Sequence, residues 1–398
     1  MKKICFVIPS LDAGGAEKAL LNLLSVFDFT KYQVDLILFQ KKGIFLKQLP
    51  PQVTVISVQE NYEIFSLGLF SSIISFLKKG NIKLVVHRIL FALKNRITKN
   101  TSKAEQISWT NISKSIPSFN KDYDIAIGAL EKSSIYFVVD KLTAKTKIGW
   151  IHTNYSNSGM KKEFDINYFE KLNHLIAVSL ECKEDLQFNF SILKDRIKVI
   201  FNIVSPALIH KLSNQTIADI RFKTAQATFL TVARLSKEKG IDLAVDTSIE
   251  LVKMGIQFKW YVIGDGFERN NLEHKIKVNN LQETFILLGL KENPYPFVKQ
   301  ANIYIQPSQY EGKSIAIDEA KILLKPIIST NYPTAKDQIN NGFNGILSEM
   351  NGTAMAQSIV SLINNQTLID KFCLNLKNEN LGTETEIFKL YELFNESK

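Results

Sequence analysis

The sequence predicts an α/β protein built from two halves, each carrying a parallel sheet. Three observations predict it. Short apolar runs alternate with segments of helical period, the pattern of parallel strands joined by crossover helices. The alternation pauses over a mixed, polar stretch at residues 205–227 and then restarts. At 398 residues the chain is too long for one ordinary core, so two domains of roughly 200 residues are expected.

The elements follow in order. Residues 3–9 form an apolar strand that runs out into Gly14-Gly15, and residues 17–27 have helical period. The opening, MKKICFVIPSLDAGG, mimics a secretory leader. Its apolar stretch from Ile4 to Pro9 falls short of the roughly 7–15 residues a leader needs, so a first strand is the better reading. Residues 34–39 and 53–58 are the next strands. From Ile64 to Asn100 there are seven Lys or Arg and no Asp or Glu, interleaved with Phe70, Ile74, Phe76, Leu77 and Phe91. That composition suits a pair of amphipathic helices lying on an anionic membrane surface. The plainer alternative is a core-facing pair with a solvated basic back. Residues 124–127, 147–151, 175–178 and 197–200 complete the first sheet. The second half has strands at 228–232, 259–263, 285–288, 303–306 and 326–329, with helices at 242–253, 271–279 and 296–301. The expected domains are 1–204 and 205–375, with a final helix, 376–398, packing back on the first.

Composition narrows the function. The net charge of +10 suits nucleic acid, an anionic membrane or a phosphorylated substrate. No nucleic-acid-reading motif is present. Cys5, Cys182 and Cys373 are too far apart for a zinc or disulfide framework and suit a reducing cytoplasm. The five histidines contain no His-x-x-x-His pair, so no metal site is expected. No run reaches the roughly 18 apolar residues of a membrane span.

In open parallel sheets, ligands bind beyond the carboxyl ends of the strands. Gly14, Gly15, His152, Arg234, Gly264, Gly266 and Glu311 all follow predicted strands. In YEGKSIAIDEAKILLKPIIST, Tyr310 to Thr330, a helix from about Ser314 would offer its first amides to an anion. Gly312 allows close approach and Lys313 adds charge. Glu319 lies inside that helix, where the dipole alone would favour it modestly. Glu311 lies before it, where a bare carboxylate would repel the anion, so it needs a cationic or hydroxyl partner. Arg234 and Lys239 can converge on one diphosphate, the arginine by a forked contact and the lysine as a point charge; the alternative is a solvated loop. Gly14-Gly15 either admits a ligand to the backbone or is a plain turn. His152, near Trp150, is by residue type alone more often a core histidine. Glu131 follows the strand at 125–128. Asp122 and Asp124 form an Asp-x-Asp read as a turn at the amino end of that strand, away from the ligand edge.

Five stretches carry a resemblance, in order: LDAGGAEKAL (from Leu11), KVIFN (from Lys198), VARLSKEKGIDLAVD (from Val232), YVIGDG (from Tyr261) and the Glu311-x7-Glu319 pair. Together they resemble glycosyltransferase family 4, retaining sugar transferases of the GT-B fold. Lys313-Ser314 stands where many members have Phe-Gly, and Ala233 where many have Gly. The first departure resembles a subgroup that builds bacterial surface polysaccharides. The resemblance implies two Rossmann-like domains whose parallel sheets face a central cleft, the first binding acceptor and the second a nucleotide-sugar. It implies hexosyl or N-acetylhexosaminyl transfer from a nucleoside diphosphate sugar, uridine diphosphate by family frequency, to a hydroxyl of a lipid-linked glycan at the inner face of the cell membrane. Glu311 and His152 would be catalytic. Gly14, Gly15, Arg234, Lys239, Gly264, Lys313, Ser314, Ile315 and Glu319 would hold the donor, with Glu319 on the ribose. Glu131 would face the acceptor. Arg234, Lys239 and helix amides would neutralise the leaving diphosphate, so no metal or other cofactor is implied. No second carboxylate is evident as a nucleophile, which favours front-face attack over the double displacement of retaining hydrolases. Two alternatives stand beside this: a sugar-nucleotide epimerase on the same fold, disfavoured by the glutamate pair, and an inactive partner subunit, expected to lose Glu311, Arg234 or Lys239.

Overall fold

Runs rich in Ile, Val and Leu, closed by Gly, Pro or Asn, make the strands, and the segments between them make the crossovers. The computed structural model describes residues 1–12, 14–58, 60–98, 100–217, 219, 222 and 227–396. Two units result, Met1–Asn202 with Thr385–Lys398, and Ile203–Glu384.

In the first unit the order is β1 (Lys2–Ile8), α1 (Gly15–Ser25), β2 (Tyr32–Leu38), β3 (Thr54–Ser57), α2 (Glu60–Ser66), α3 (Leu69–Lys78), α4 (Ile82–Ile97), α5 (Thr101–Ile112), β4 (Asp122–Gly128), α6 (Ser133–Lys141), β5 (Thr143–Ile151), α7 (Lys162–Phe169), β6 (His174–Ala177), α8 (Leu180–Asn189) and β7 (Ile197–Val199). The strands lie in the order β3-β2-β1-β4-β5-β6-β7, and every pairing is parallel. The order reverses between β1 and β4. The crossover from β3 to β4 is long because it carries α2 to α5. Asn81 and Asn100 start α4 and α5 by accepting the backbone N–H groups of Leu84 and Lys103, the ordinary role of Asn at a helix start. Asp122 and Asp124 were expected in a turn; they open β4 instead. Asp124 is fixed there by Lys145 (2.7 Å) and the Lys3 amide (2.9 Å), at the amino end of the sheet.

The second unit runs α9 (Pro206–Ser213), β8 (Thr228–Val232), α10 (Ile241–Lys253), β9 (Lys259–Ile263), α11 (Arg269–Val278), β10 (Phe285–Gly289), α12 (Tyr295–Gln300), β11 (Ile303–Gln306), α13 (Ile315–Ile322), β12 (Ile327–Thr330), β13 (Gly345–Ser348), α14 (Gly352–Ile363) and α15 (Gln366–Asn378). The order is β10-β9-β8-β11-β12-β13, again all parallel, with the reversal between β8 and β11. The core on one side of this sheet joins Phe229, Trp260 and Ile305 to Leu251, Met355 and Phe372. The stretch 205–227, expected as a linker, starts with a helix: Pro206 sits in the first turn of α9, where its missing N–H costs nothing. Residues 218, 220, 221 and 223–226 of that stretch lie outside the described residues.

The C-terminal helix α16 (Glu386–Asn395) belongs to the first unit. Tyr391 stacks on Tyr32 at 5.0 Å and meets Phe27 edge-on at 5.5 Å, and its hydroxyl accepts the Asp28 amide. Such aromatic pairs add about 0.5–1.5 kcal/mol each beyond their buried area. Residues 376–384, expected with this tail, stay with the second unit because α15 continues to Asn378. Among the described residues no helix is long and apolar enough to cross a membrane.

Candidate active site

Where the strand order of an open α/β sheet reverses, the loops leave in opposite directions and open a crevice. In the second unit that point lies between β8 and β11. The loop after β8 carries Arg234 and Lys239; the loop after β11 carries Ser308 and Glu311. Gly240 makes their contact possible. It is left-handed (φ 62°), and a Cβ there would sit 2.0 Å from the Pro307 carbonyl oxygen, so only glycine suits both demands. The Gln309 amide also donates to the Glu238 carbonyl at 2.8 Å.

Lys239 Nζ meets Glu311 Oε2 at 2.6 Å, with side-chain exposures of 18% and 10%. The other carboxylate oxygen accepts the Ser308 hydroxyl (2.9 Å) and the Gln306 amide (3.2 Å). Tyr304 in turn donates to Gln306 Oε1 at 2.8 Å. Glu311 thus has both a cationic and a hydroxyl partner, and its rotamer is held from two sides. Arg234 is more loosely placed. Its side chain is 57% exposed and lies 3.6 Å from Glu238 Oε1. Burial works to raise the Glu238 carboxyl, but the Ser236 hydroxyl, Arg234 and Lys239 together hold it below the usual range. The neighbouring Tyr310 phenol is pushed up by burial, then by Glu238 and Glu311, and is lowered by Arg234. One phenol therefore senses Arg234, Glu238 and Glu311 together.

The segment after Glu311 differs from expectation in two ways. The Ser314 amide is taken: it donates to Gln338 Oε1 at 2.8 Å, and Gln338 Nε2 returns a bond to the Ser314 carbonyl at 2.8 Å. Any anion at this helix start is left to the amides from Ile315 onward, which have no intrahelical acceptor. Lys313 lies 3.4 Å from Asp318 Oδ2, so part of its charge is offset from within α13. Glu319 is buried and accepts the Tyr295 hydroxyl at 2.6 Å. Gly264 (φ 148°) has a packing reason, since a Cβ would sit 1.8 Å from the Ala233 carbonyl oxygen; it lets the loop after β9 rest on the loop bearing Arg234. Sequence reading missed Tyr295, Gln338 and Gln306 as partners. Ser308, three residues before Glu311, was the one signal close at hand.

Tyr295→Phe removes the hydroxyl that satisfies a buried carboxylate. The expected loss of stability is about 1–3 kcal/mol, read from urea denaturation at neutral pH; an unchanged midpoint would mean that Glu319 does not depend on this donor.

In the first unit the matching reversal lies between β1 and β4. Gly14 precedes α1 and Gly15 opens it. The loop after β4 brings in Glu131, whose Oε2 accepts the His152 amide at 3.1 Å. His152 follows β5, and its ring stacks on Trp150 at 6.0 Å and 19°. The structure therefore joins two residues that the sequence presents separately. Lys132, next in chain, has φ 64°, a strained value for a residue with a Cβ. Burial lowers the His152 pKa to about 4, against a smaller raising effect of its bond to the Ala129 backbone. The ring is neutral at pH 7. Burial raises the Glu131 carboxyl.

A histidine depressed when folded takes up a proton more readily when unfolded. Its contribution is present above its ordinary value of 6.5 and is lost as pH falls toward about 4. Glu131 acts in the opposite sense, so the measurement compares His152→Gln with wild type. Urea denaturation at pH 5 and pH 7 is expected to show a smaller acid loss in the variant; equal losses would contradict the depressed ring.

Comparison with known proteins bears on the family and the fold. Residues 213–380 match the family of glycosyl transferases group 1. The chain is 26% identical over 252 residues to a poly(ribitol-phosphate) alpha-N-acetylglucosaminyltransferase of Staphylococcus aureus, a match covering 61% of this chain and 49% of that one; the chain thus spans about half the length of that relative. It is 23% identical to the N-acetylgalactosamine-N,N'-diacetylbacillosaminyl-diphospho-undecaprenol 4-alpha-N-acetylgalactosaminyltransferase of Campylobacter jejuni, covering 92% of each. Among solved structures, Anabaena HepE in complex with UDP and glucose aligns with a TM-score of 0.69 at 16% identity, over 99% of this chain and 100% of that one, a likeness that concerns the fold. Built from two parallel α/β units of the GT-B type, the chain carries over residues 213–380 a domain of the glycosyl transferases group 1 family.

Proposed function

We propose that the protein is a retaining glycosyltransferase of family 4. It moves a sugar, a hexose or N-acetylhexosamine, from a uridine diphosphate sugar to a hydroxyl of a lipid-linked glycan during bacterial surface polysaccharide synthesis. The observation that carries this is the Lys239–Glu311 pair across the β8/β11 reversal, with Arg234 on the same loop as Lys239.

The barrier to transfer lies in expelling a diphosphate while an oxocarbenium-like centre forms. Arg234, Lys239 and the α13 amides would stabilise charge growing on the departing phosphate, and such fixed groups act most strongly in a site already organised for them. Glu311, aimed by Ser308 and Gln306, would take a hydroxyl of the donor sugar. Glu319, held by Tyr295, would take the ribose. Ser314 and Ile315 would shape the phosphate-facing turn, and Lys313 would contribute what charge Asp318 leaves. Gly264 would keep the Arg234 loop in place. The first unit would serve the acceptor through Glu131 and would contribute Gly14, Gly15 and a neutral His152 to the donor. The leaving phosphate would receive the acceptor proton. With cations and amides meeting the diphosphate, the reading calls on no metal. Names of relatives support a lipid-linked acceptor: that of the Campylobacter jejuni protein includes a diphospho-undecaprenol. A peripheral position on an anionic membrane, through the basic α3–α4 region, completes the reading.

A panel of sugar nucleotides tests it, with nucleotide release measured with and without a lipid-linked acceptor. Release from a uridine diphosphate sugar that rises with acceptor, and product of retained anomeric configuration, is expected. No release from any member of the panel would reject the transferase reading.

A further inference from the structure

Helices α3 and α4 turn one face inward and leave another uncovered. Inward, Ile64, Phe65, Phe76, Leu84 and Val85 form a small core with Phe91 against it. Outward, α3 presents Phe70, Ile74 and Leu77, spaced i, i+4, i+7 and all exposed. On α4, Ile82, Val86, Ile89, Leu93 and Ile97 are exposed as well. At 3.6 residues per turn these five fall within an arc of about 80°, so they make one stripe along the helix. Phe70, at the start of α3, and Ile97, at the end of α4, are each 80% exposed. Scattered surface hydrophobes are normal, but two aligned stripes on adjoining helices form the kind of patch that marks an interaction surface.

Charge identifies the occupant. Lys78 follows the α3 stripe. On α4, Lys83 flanks the stripe on one side and Arg96 on the other, and no acidic residue occurs between Ile64 and Asn100. An apolar stripe bordered by cations fits a bilayer with anionic headgroups, the stripe entering the acyl boundary while the cations stay at phosphate level. Arg88 is kept out of this role. Its guanidinium donates to the Leu67 carbonyl at 2.8 Å and lies over the Phe65 and Phe91 rings, on the inward side.

We infer that the outward faces of α3 and α4 form a bilayer-insertion surface, so that membrane attachment depends on buried apolar side chains as well as on charge. The inference deepens the membrane position proposed above and rests on it. It differs from purely electrostatic adsorption in one measurable way. Charge attraction is screened within about 3 Å at 1 M salt, whereas apolar insertion survives.

The test uses the full chain and vesicles of phosphatidylglycerol and phosphatidylcholine. Co-sedimentation is expected at low salt and in part at 1 M salt. Phe70→Ser with Leu93→Ser should weaken binding about tenfold or more. Lys78→Glu with Lys83→Glu should weaken it at low salt only. In Phe70→Trp, a solvent-exposed indole reports directly, and its emission should shift to the blue and be quenched by brominated lipid. Absence of blue shift together with unchanged binding of the serine variant overturns the inference. So does a concentration-dependent dimer in sedimentation that the serine variant abolishes, because a second copy would then cover the face. Nucleotide release by the wild-type chain is measured in parallel across the sugar-nucleotide panel, with detergent-dispersed lipid-linked acceptor and no vesicles. Its absence for every member would reject the transferase reading and leave the insertion result standing on its own.

Discussion

Lys239→Ala is expected to lower kcat/KM for sugar transfer by about 10²–10³ and to destabilise the second unit by about 3 kcal/mol. Both effects come from one contact. Exposed ion pairs contribute only about 0–1 kcal/mol, but the small exposures of Lys239 and Glu311 place this pair with the buried ones. Removing the cation leaves the Glu311 carboxylate with only Ser308 and Gln306 as donors. The double variant Lys239→Ala with Glu311→Gln separates the two effects. A neutral amide no longer needs a cation, so part of the lost stability should return while activity does not. Denaturant titration gives the first quantity and initial rates give the second. Strictly additive stability losses would show that the two side chains are not coupled. Full activity in the single variant would remove Lys239 from the chemistry.

Arg234→Ala should behave in the opposite way. The side chain is 57% exposed and touches Glu238 only at 3.6 Å, so stability should change by no more than about 0.5 kcal/mol. Turnover should fall by about 10² or more, because the guanidinium would act on charge that exists only as diphosphate departs. Arg234→Lys should recover part of the rate, since it keeps the charge and loses the fork. Wild-type rates in Arg234→Ala would contradict the role. A large stability loss would mean that Arg234 is structural.

The strand periodicity was readable almost throughout. It failed at β13, where Gly345–Ser348 has only Ile346 and Leu347 as apolar residues and follows a turn-rich stretch. It also failed at Asp122 and Asp124, whose polarity suits a turn; in β4 Asp122 is exposed at the strand start and Asp124 is satisfied by Lys145 and the Lys3 amide. Glu311, Arg234 and Lys239 could each be picked out by residue type and by position after a strand. That β8 and β11 are sheet neighbours, and so that Lys239 reaches Glu311, is a matter of strand order and is not written in local pattern. Tyr295 and Gln338 were hidden for the same reason. Each lies 24 residues from the group it holds, and neither looks unusual where it stands. The α3–α4 stripe shows an intermediate case. Sequence shows apolar and basic residues mixed on helices, and only packing divides Phe76 and Leu84, turned inward, from Phe70 and Leu93, turned out.

The position of α16 has a practical consequence for taking the protein apart. The Phe201 amide donates to the Glu386 carboxylate, while one step further along Val204 pairs with Thr383 through both a side-chain and a backbone bond, at 2.8 and 3.2 Å. The segment 203–384 is therefore a guest that departs from its host and rejoins it at nearly the same spot. Excising it and splicing residue 202 to 385 through a turn of a few residues should yield a self-standing host fragment. A gene simply stopped at 202 would strip Tyr391 and Phe394 from Tyr32 and Phe27 and expose a greasy aromatic seam.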